Sequence, residues 1–101
     1  MKSNYIVKVR PVAAIQLTSH IEFLARKSKK AANKIVNDFE KLEKMLNENP
    51  TSFPLFYKNY RKAIIEPFYA VLFEVEGNIV FVSKILDTRQ LEYNDIIIDL
   101  N

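Results

Sequence analysis

The run from Phe68 to Asp87 contains the chain's only glycine, Gly77, and that placement constrains the fold more than any other feature. Before the glycine, Tyr69, Val71, Phe73 and Val75 alternate with Ala70, Leu72, Glu74 and Glu76, the period of two that a half-buried strand requires. After it, Ile79 to Asp87 is again strand-like, so Gly77-Asn78 reads as a tight hairpin turn between residues that tolerate positive φ. Arg61 to Ile65 adds a third strand, separated from the second by Glu66-Pro67, where the proline predicts a turn or bulge. The stretch from Tyr60 to Gln90 is therefore a three-stranded meander, entered beside Arg61 and left through Asp87-Thr88-Arg89-Gln90.

A short β pattern at Asn4 to Arg10 stops at Pro11, and the period then changes. Ala14, Leu17, Ile21 and Leu24 fall at steps of three and four and predict a helix over Ala13 to Lys27. Ser28 can cap a second helix, whose Ala32, Ile35, Phe39, Leu42 and Leu46 form an apolar stripe opposite Asp38, Glu40, Lys41, Glu43 and Lys44. Asn47-Glu48-Asn49-Pro50 ends it, and Thr51 to Tyr57 reads as an apolar connector along the sheet edge, with Phe53 and Phe56 filling gaps in the core. The tail from Leu91 to Asn101 holds Ile96-Ile97-Ile98, compatible with an edge strand or with docking on the core. Short helices are marginal alone in water, so the hairpin must lie on the sheet, which gives an α+β architecture.

With 101 residues, one domain spanning 1–101 is expected. A composition 49% hydrophobic and 27% charged belongs to a folded soluble protein, and the absence of cysteine removes thiolate zinc sites and cysteine nucleophiles and suits a reducing cytoplasm. No apolar run reaches membrane-spanning length, so no membrane partner is expected. One glycine cannot build a phosphate-binding loop, so nucleotide cofactors are not expected, and one histidine cannot build a histidine-rich metal site. His20 reads as a surface or boundary residue of the first helix, and the carboxylates of the second helix sit among lysines as solvated ion pairs do.

What remains is basic and aromatic, in a chain of net charge +3. Arg26, Lys27, Lys29, Lys30 and Lys34 crowd the turn of the helical hairpin, a pattern that usually means a solvated loop. Tyr57, Lys58, Tyr60, Arg61 and Lys62 interleave rings with cations, as surfaces do that neutralise phosphates while supporting bases; a strand edge carrying outward charges has the same pattern.

Taken in order, the strand at Tyr5 to Val9, the helical hairpin with Ser28 and Ala31-Ala32, and the strands Tyr69 to Val75 and Ile85-Leu86-Asp87-Thr88-Arg89 resemble the RelE/ParE superfamily. These are the toxins of bacterial type II toxin–antitoxin modules. The resemblance covers nearly the whole chain and implies an N-terminal strand and a two-helix hairpin packed on a twisted, mainly antiparallel sheet that ends in the meander. It also implies growth inhibition, plasmid stabilisation, a cognate antitoxin and no cofactor.

Two branches of the superfamily differ in target. In the ribonuclease branch, which cuts mRNA on the ribosome without a metal, the resemblance places Arg61, Arg89 and Tyr93 in the catalytic set. Such residues hold phosphate and stabilise the charge that develops as a 2′-hydroxyl attacks. The pattern departs from that branch at Ala63 and Ala70, where cations are expected, and at Asp87, where a histidine is common. In the other branch, which inhibits DNA gyrase, the protein is a binder and Arg61 and Arg89 hold the sheet through ion pairs with Glu66 or Asp87. For target contact the candidates are Tyr57, Lys58, Tyr60, Arg61, Lys62 and Arg89. A degenerate non-toxic paralogue or a general basic nucleic-acid-binding domain is the remaining alternative.

Overall fold

A computed structural model describes residues 4–90; the predicted edge strand or docked tail lies outside them. Among the described residues five strands form one sheet in the order β1-β5-β4-β3-β2, with β1 (Ile6–Val9), β2 (Leu55–Tyr57), β3 (Tyr60–Ile65), β4 (Tyr69–Glu76) and β5 (Ile79–Asp87). The meander is antiparallel, and β1 alone runs parallel to its neighbour, pairing Ile6 with Ile79 and Val9 with Val82. Helices α1 (Pro11–Ala25) and α2 (Lys29–Glu48) cover one face, so the architecture is the α+β arrangement expected.

Pro11 does not only end the first strand. It occupies the first turn of α1, where a missing N–H costs nothing and the ring presets φ. The helix consequently starts two residues earlier than its apolar spacing indicates. Its buried contact near the N-terminus is Ala13, fully enclosed, whereas Ala14 is exposed. The inward stripe is Ala13, Leu17, Ile21 and Leu24, and it leaves Val12, Ile15 and Phe23 facing outward. α2 follows its sequence closely: Ala32, Ile35, Phe39, Leu42 and Leu46 are all buried. Ser28 Oγ accepts the Ala31 N–H at 3.1 Å, a cap of the kind that contributes about 1 kcal/mol.

The core lies between the helices and the inward residues Ala63 and Ile65 of β3, Tyr69, Val71 and Phe73 of β4, and Val80, Val82 and Ile85 of β5. A bulge in β5 makes that list possible. Leu72 faces Lys84 and Phe73 faces Val82, so Ser83 is the extra residue and the strand changes phase there. Without it, Ile85 and Asp87 would point away from the helices. The opposite face has a smaller cluster in which Leu72 and Leu86 are buried and Phe56, Tyr57 and Tyr60 pack against them.

Two tight connections behave as their residues dictate. Gly77 sits at φ +60°, the left-handed conformation for which glycine carries no penalty. Between β3 and β4 the turn contains a cis Glu66–Pro67 peptide. The connector after α2 begins as a short 3-10 turn, Pro50–Ser52, and then becomes the edge strand β2, more regular than a wrapping loop. Phe53 fills the core as expected, its ring edge-on to Phe73 at 5.7 Å, while Phe56 belongs to the smaller cluster on the other face.

Candidate functional site

Alternation along β3 decides where the predicted cations stand. Arg61, Ala63 and Ile65 pair with Phe73, Val71 and Tyr69 on the helix side; Tyr60, Lys62 and Ile64 lie on the open side. Arg61 is half-buried, and its guanidinium is directed at the main chain of the connector, Nη1 donating to the Phe53 carbonyl at 2.6 Å and the Thr51 carbonyl at 3.3 Å. It ties β2 and its approach to the sheet through these carbonyls, not through Glu66.

Arg89 lies at the other end of the meander. Its Nε and Nη2 donate to the two Asp87 carboxylate oxygens at 3.1 and 2.8 Å, its backbone N–H donates to Oδ1 at 2.9 Å, and its guanidinium lies 3.4 Å from the Phe68 ring centroid. Arg61 faces Phe73 and Asp87 faces Tyr69. Arg61 and Asp87 thus lie on opposite sides of β4 and four residues apart along it, about 13 Å in the strand direction at about 3.3 Å per residue. The fold does not bring the two arginines to one point. Tyr93 lies outside the described residues.

Hydrogen bonds from Arg89 hold the Asp87 carboxyl below its ordinary value of 3.8, against the opposing effect of burial. A carboxyl whose folded pKa is depressed stabilises the fold above its unfolded pKa and loses that contribution as pH falls through the folded value. Parent protein should therefore be more stable than Arg89→Ala near neutral pH, with the gap closing below about pH 3.8. Thermal melts of both proteins between pH 7 and pH 2.5 measure this; a gap that stays constant would show that the pair contributes nothing.

His20, beside this pair, has a structural task. β1 ends opposite Val82, leaving Ile85 without a strand neighbour on that side. Gln16 and His20, one turn apart on α1, take its place: Gln16 Oε1 accepts the Ile85 N–H at 2.8 Å and His20 Nε2 donates to the Ile85 carbonyl at 2.8 Å. The imidazole also meets the Tyr69 ring at 4.8 Å. His20 is the boundary residue its sequence position indicated, and the i, i+4 pairing of two polar side chains on an otherwise apolar inner face was the available signal for its role. These residues, with Ile15, Phe23, Arg26 and Arg89, line a cleft of about 690 Å³ between α1 and the end of β5.

The open sheet face carries the second group of candidates, including three cations missed from sequence spacing, Lys8, Arg10 and Lys84. Lys62 and Lys84 flank Leu72 in one cross-strand row; in the next, Glu74 and Phe81 are neighbours and Lys8 of β1 faces Phe81. Arg10 stacks over Phe81 at 4.5 Å and Lys62 over Phe56 at 4.2 Å. Burial, then the Glu74 carboxylate, pushes the Tyr60 hydroxyl above its usual value, with Arg10 pulling the other way. Of the predicted patch, Tyr60 and Lys62 belong here and Arg61 does not. Lys58 is at the exposed β2–β3 turn with φ +52°, its ammonium 5.8 Å from the Tyr57 ring.

Compared with known families, residues 7–92 match the model of the ParE toxin of the type II toxin–antitoxin system parDE. The chain belongs to the ParE toxin family. Its fold is shared with a chain of the chromosomal ParDE toxin–antitoxin system from P. aeruginosa, at TM-score 0.69 and 19% identity, over 83% of this chain and 96% of that one. No curated protein matches the sequence. Among the described residues of this ParE-family chain, no helix is long and apolar enough to cross a membrane and no cluster of side chains is suited to a metal.

Proposed function

We propose that this ParE-family chain is a growth-arresting toxin that acts by occupying DNA gyrase, not by cutting mRNA, and that a cognate antitoxin neutralises it. The observation that carries this reading is the separation of Arg61 and Arg89, each held in a bond that maintains the fold. Phosphoryl-transfer catalysis without a metal needs several cations and a proton donor converging on one phosphate. Here Ala63 and Ala70, the positions where the ribonuclease branch has cations, are 3% and 0% exposed, and His20 is turned onto a backbone carbonyl. Residues so committed suit a rigid scaffold that binds.

The antitoxin contact favoured by the surface is the cleft between α1 and β5. Ile15 and Phe23 remain 66% and 45% exposed on α1, and Arg26, Lys27 and Arg89 border the same region. An apolar strip with a cationic rim fits an amphipathic acidic segment.

Controlled expression, followed by plasmid supercoiling analysis and RNA 5′-end mapping in the same cells, tests the proposal. Relaxed or gyrase-cleaved plasmid with intact messages is expected. Ribosome-phased cuts that vanish in Arg89→Ala would establish the nuclease reading instead, and unimpaired growth at normal levels of folded protein would refute both.

A further inference from the structure

The cations on the open sheet face have no part in the cleft just described. Lys8, Arg10, Lys62 and Lys84 come from three strands and the start of α1, yet all lie on the side away from the helices. Among the described residues, none of them forms an ion pair. Among the described residues two carboxylates share the face, Glu74 and Glu76, and Glu74 stands near its centre beside Tyr60. Arg10, Tyr60, Glu74, Ser83 and Lys84, with Pro11 and Val12 of α1, line a depression of about 360 Å³ there.

We propose that this face binds extended single-stranded nucleic acid, with the phosphodiester backbone on Lys8, Arg10, Lys62 and Lys84 and a base entering the depression toward Glu74. The inference goes beyond the choice of protein target and does not depend on it. Cations separated by apolar and aromatic surface suit a polymer that alternates anionic phosphates with flat neutral bases. The guanidinium of Arg10, held flat by Phe81, offers a stacking plane as well as a charge. Glu74 decides between the two anionic partners that such a face could take. An acidic polypeptide brings carboxylates against the Glu74 carboxylate, whereas a nucleic acid keeps its charge on the backbone and presents exocyclic amino groups, which a carboxylate accepts. A pyrimidine strand bearing amino groups, oligo(dC), should therefore bind better than oligo(dT), which has none.

Fluorescence anisotropy of the full chain with dC12, dT12, a 12-base-pair duplex and a poly-glutamate peptide tests the proposal over a range of salt. Binding of dC12 should be tightest, with a log–log salt slope of about −3 if four phosphates are neutralised. Arg10→Glu and Lys84→Glu should each weaken it about tenfold, and Lys44→Glu, the same charge change on exposed α2, less than about twofold. Glu74→Gln should shrink the preference for dC12 over dT12. Circular dichroism melts confirm that the variants fold. Equal losses in all three charge reversals would reduce the interaction to net charge and overturn the proposal. So would poly-glutamate binding as tightly as dC12, or no binding of dC12 at low salt.

Discussion

Ala63→Arg, which puts back a cation that the ribonuclease branch of the superfamily carries, should destabilise this protein by about 3–5 kcal/mol and create no nuclease. Ala63 is 3% exposed, on the helix side of β3, in the same core as Leu42 and Leu46. An arginine there must either displace the packed side chains or leave a guanidinium buried under α2. Domains of this size have total stabilities of about 5–15 kcal/mol, so the loss is a large share of the whole. Urea unfolding measures it. A variant as stable as the parent that also cuts messages would mean that this face of β3 is open to substrate, contrary to the packing described.

Phe73→Ala has the other large expected effect. The ring is fully buried at the centre of β4, edge-on to Phe53 and surrounded by the inward residues of the neighbouring strands. Its removal forfeits the transfer energy of the ring and leaves a cavity that the sheet cannot close, a loss of about 3–5 kcal/mol. In a domain of this length that lowers the melting temperature by about 15–25 °C. Ile64→Ala, at a position 53% exposed on the opposite face of β3, should change stability by less than about 0.5 kcal/mol. Similar losses at both positions would show that the two faces are not distinguished as described.

Where one periodicity governed a whole element, the sequence could be read directly. The stripe of α2 and the alternation of β4 gave the correct inward residues, because each keeps one phase along its full length, although Ala70 and Leu72 on the other face of β4 are buried as well. α1 was harder because it is apolar on both sides: Ala13 and Ala14 are equivalent in composition, and only the position of Pro11 as the first helical residue sets the phase. β5 changes phase at Ser83, and no local residue pattern marks a bulge that is fixed by pairing with β4.

The candidate site was legible in part. Arg61 is followed by Ala63 and Ile65 at steps of two, and that alternation already assigned it to the apolar side, apart from Tyr60 and Lys62. The resemblance to the superfamily drew attention to Arg61 as a cation without regard to the face it occupies. The ion pair of Asp87 with Arg89 was foreseen as one of two options, and the pairing of Arg61 with backbone carbonyls was not. Lys8, Arg10 and Lys84 could not be grouped from the sequence. Lys8 and Arg10 share a face by the alternation of β1, but Lys84 is distant along the chain, and only the parallel pairing of β1 with β5 brings it to their surface.

The most direct test of binding without cleavage is a supercoiling assay with purified gyrase, relaxed plasmid and the purified chain, run beside a ribosome-programmed message-cleavage assay. Inhibited supercoiling or trapped cleaved plasmid, with the message intact, is the expected result. Full supercoiling at every concentration, together with message cleavage that depends on Arg89, would contradict it.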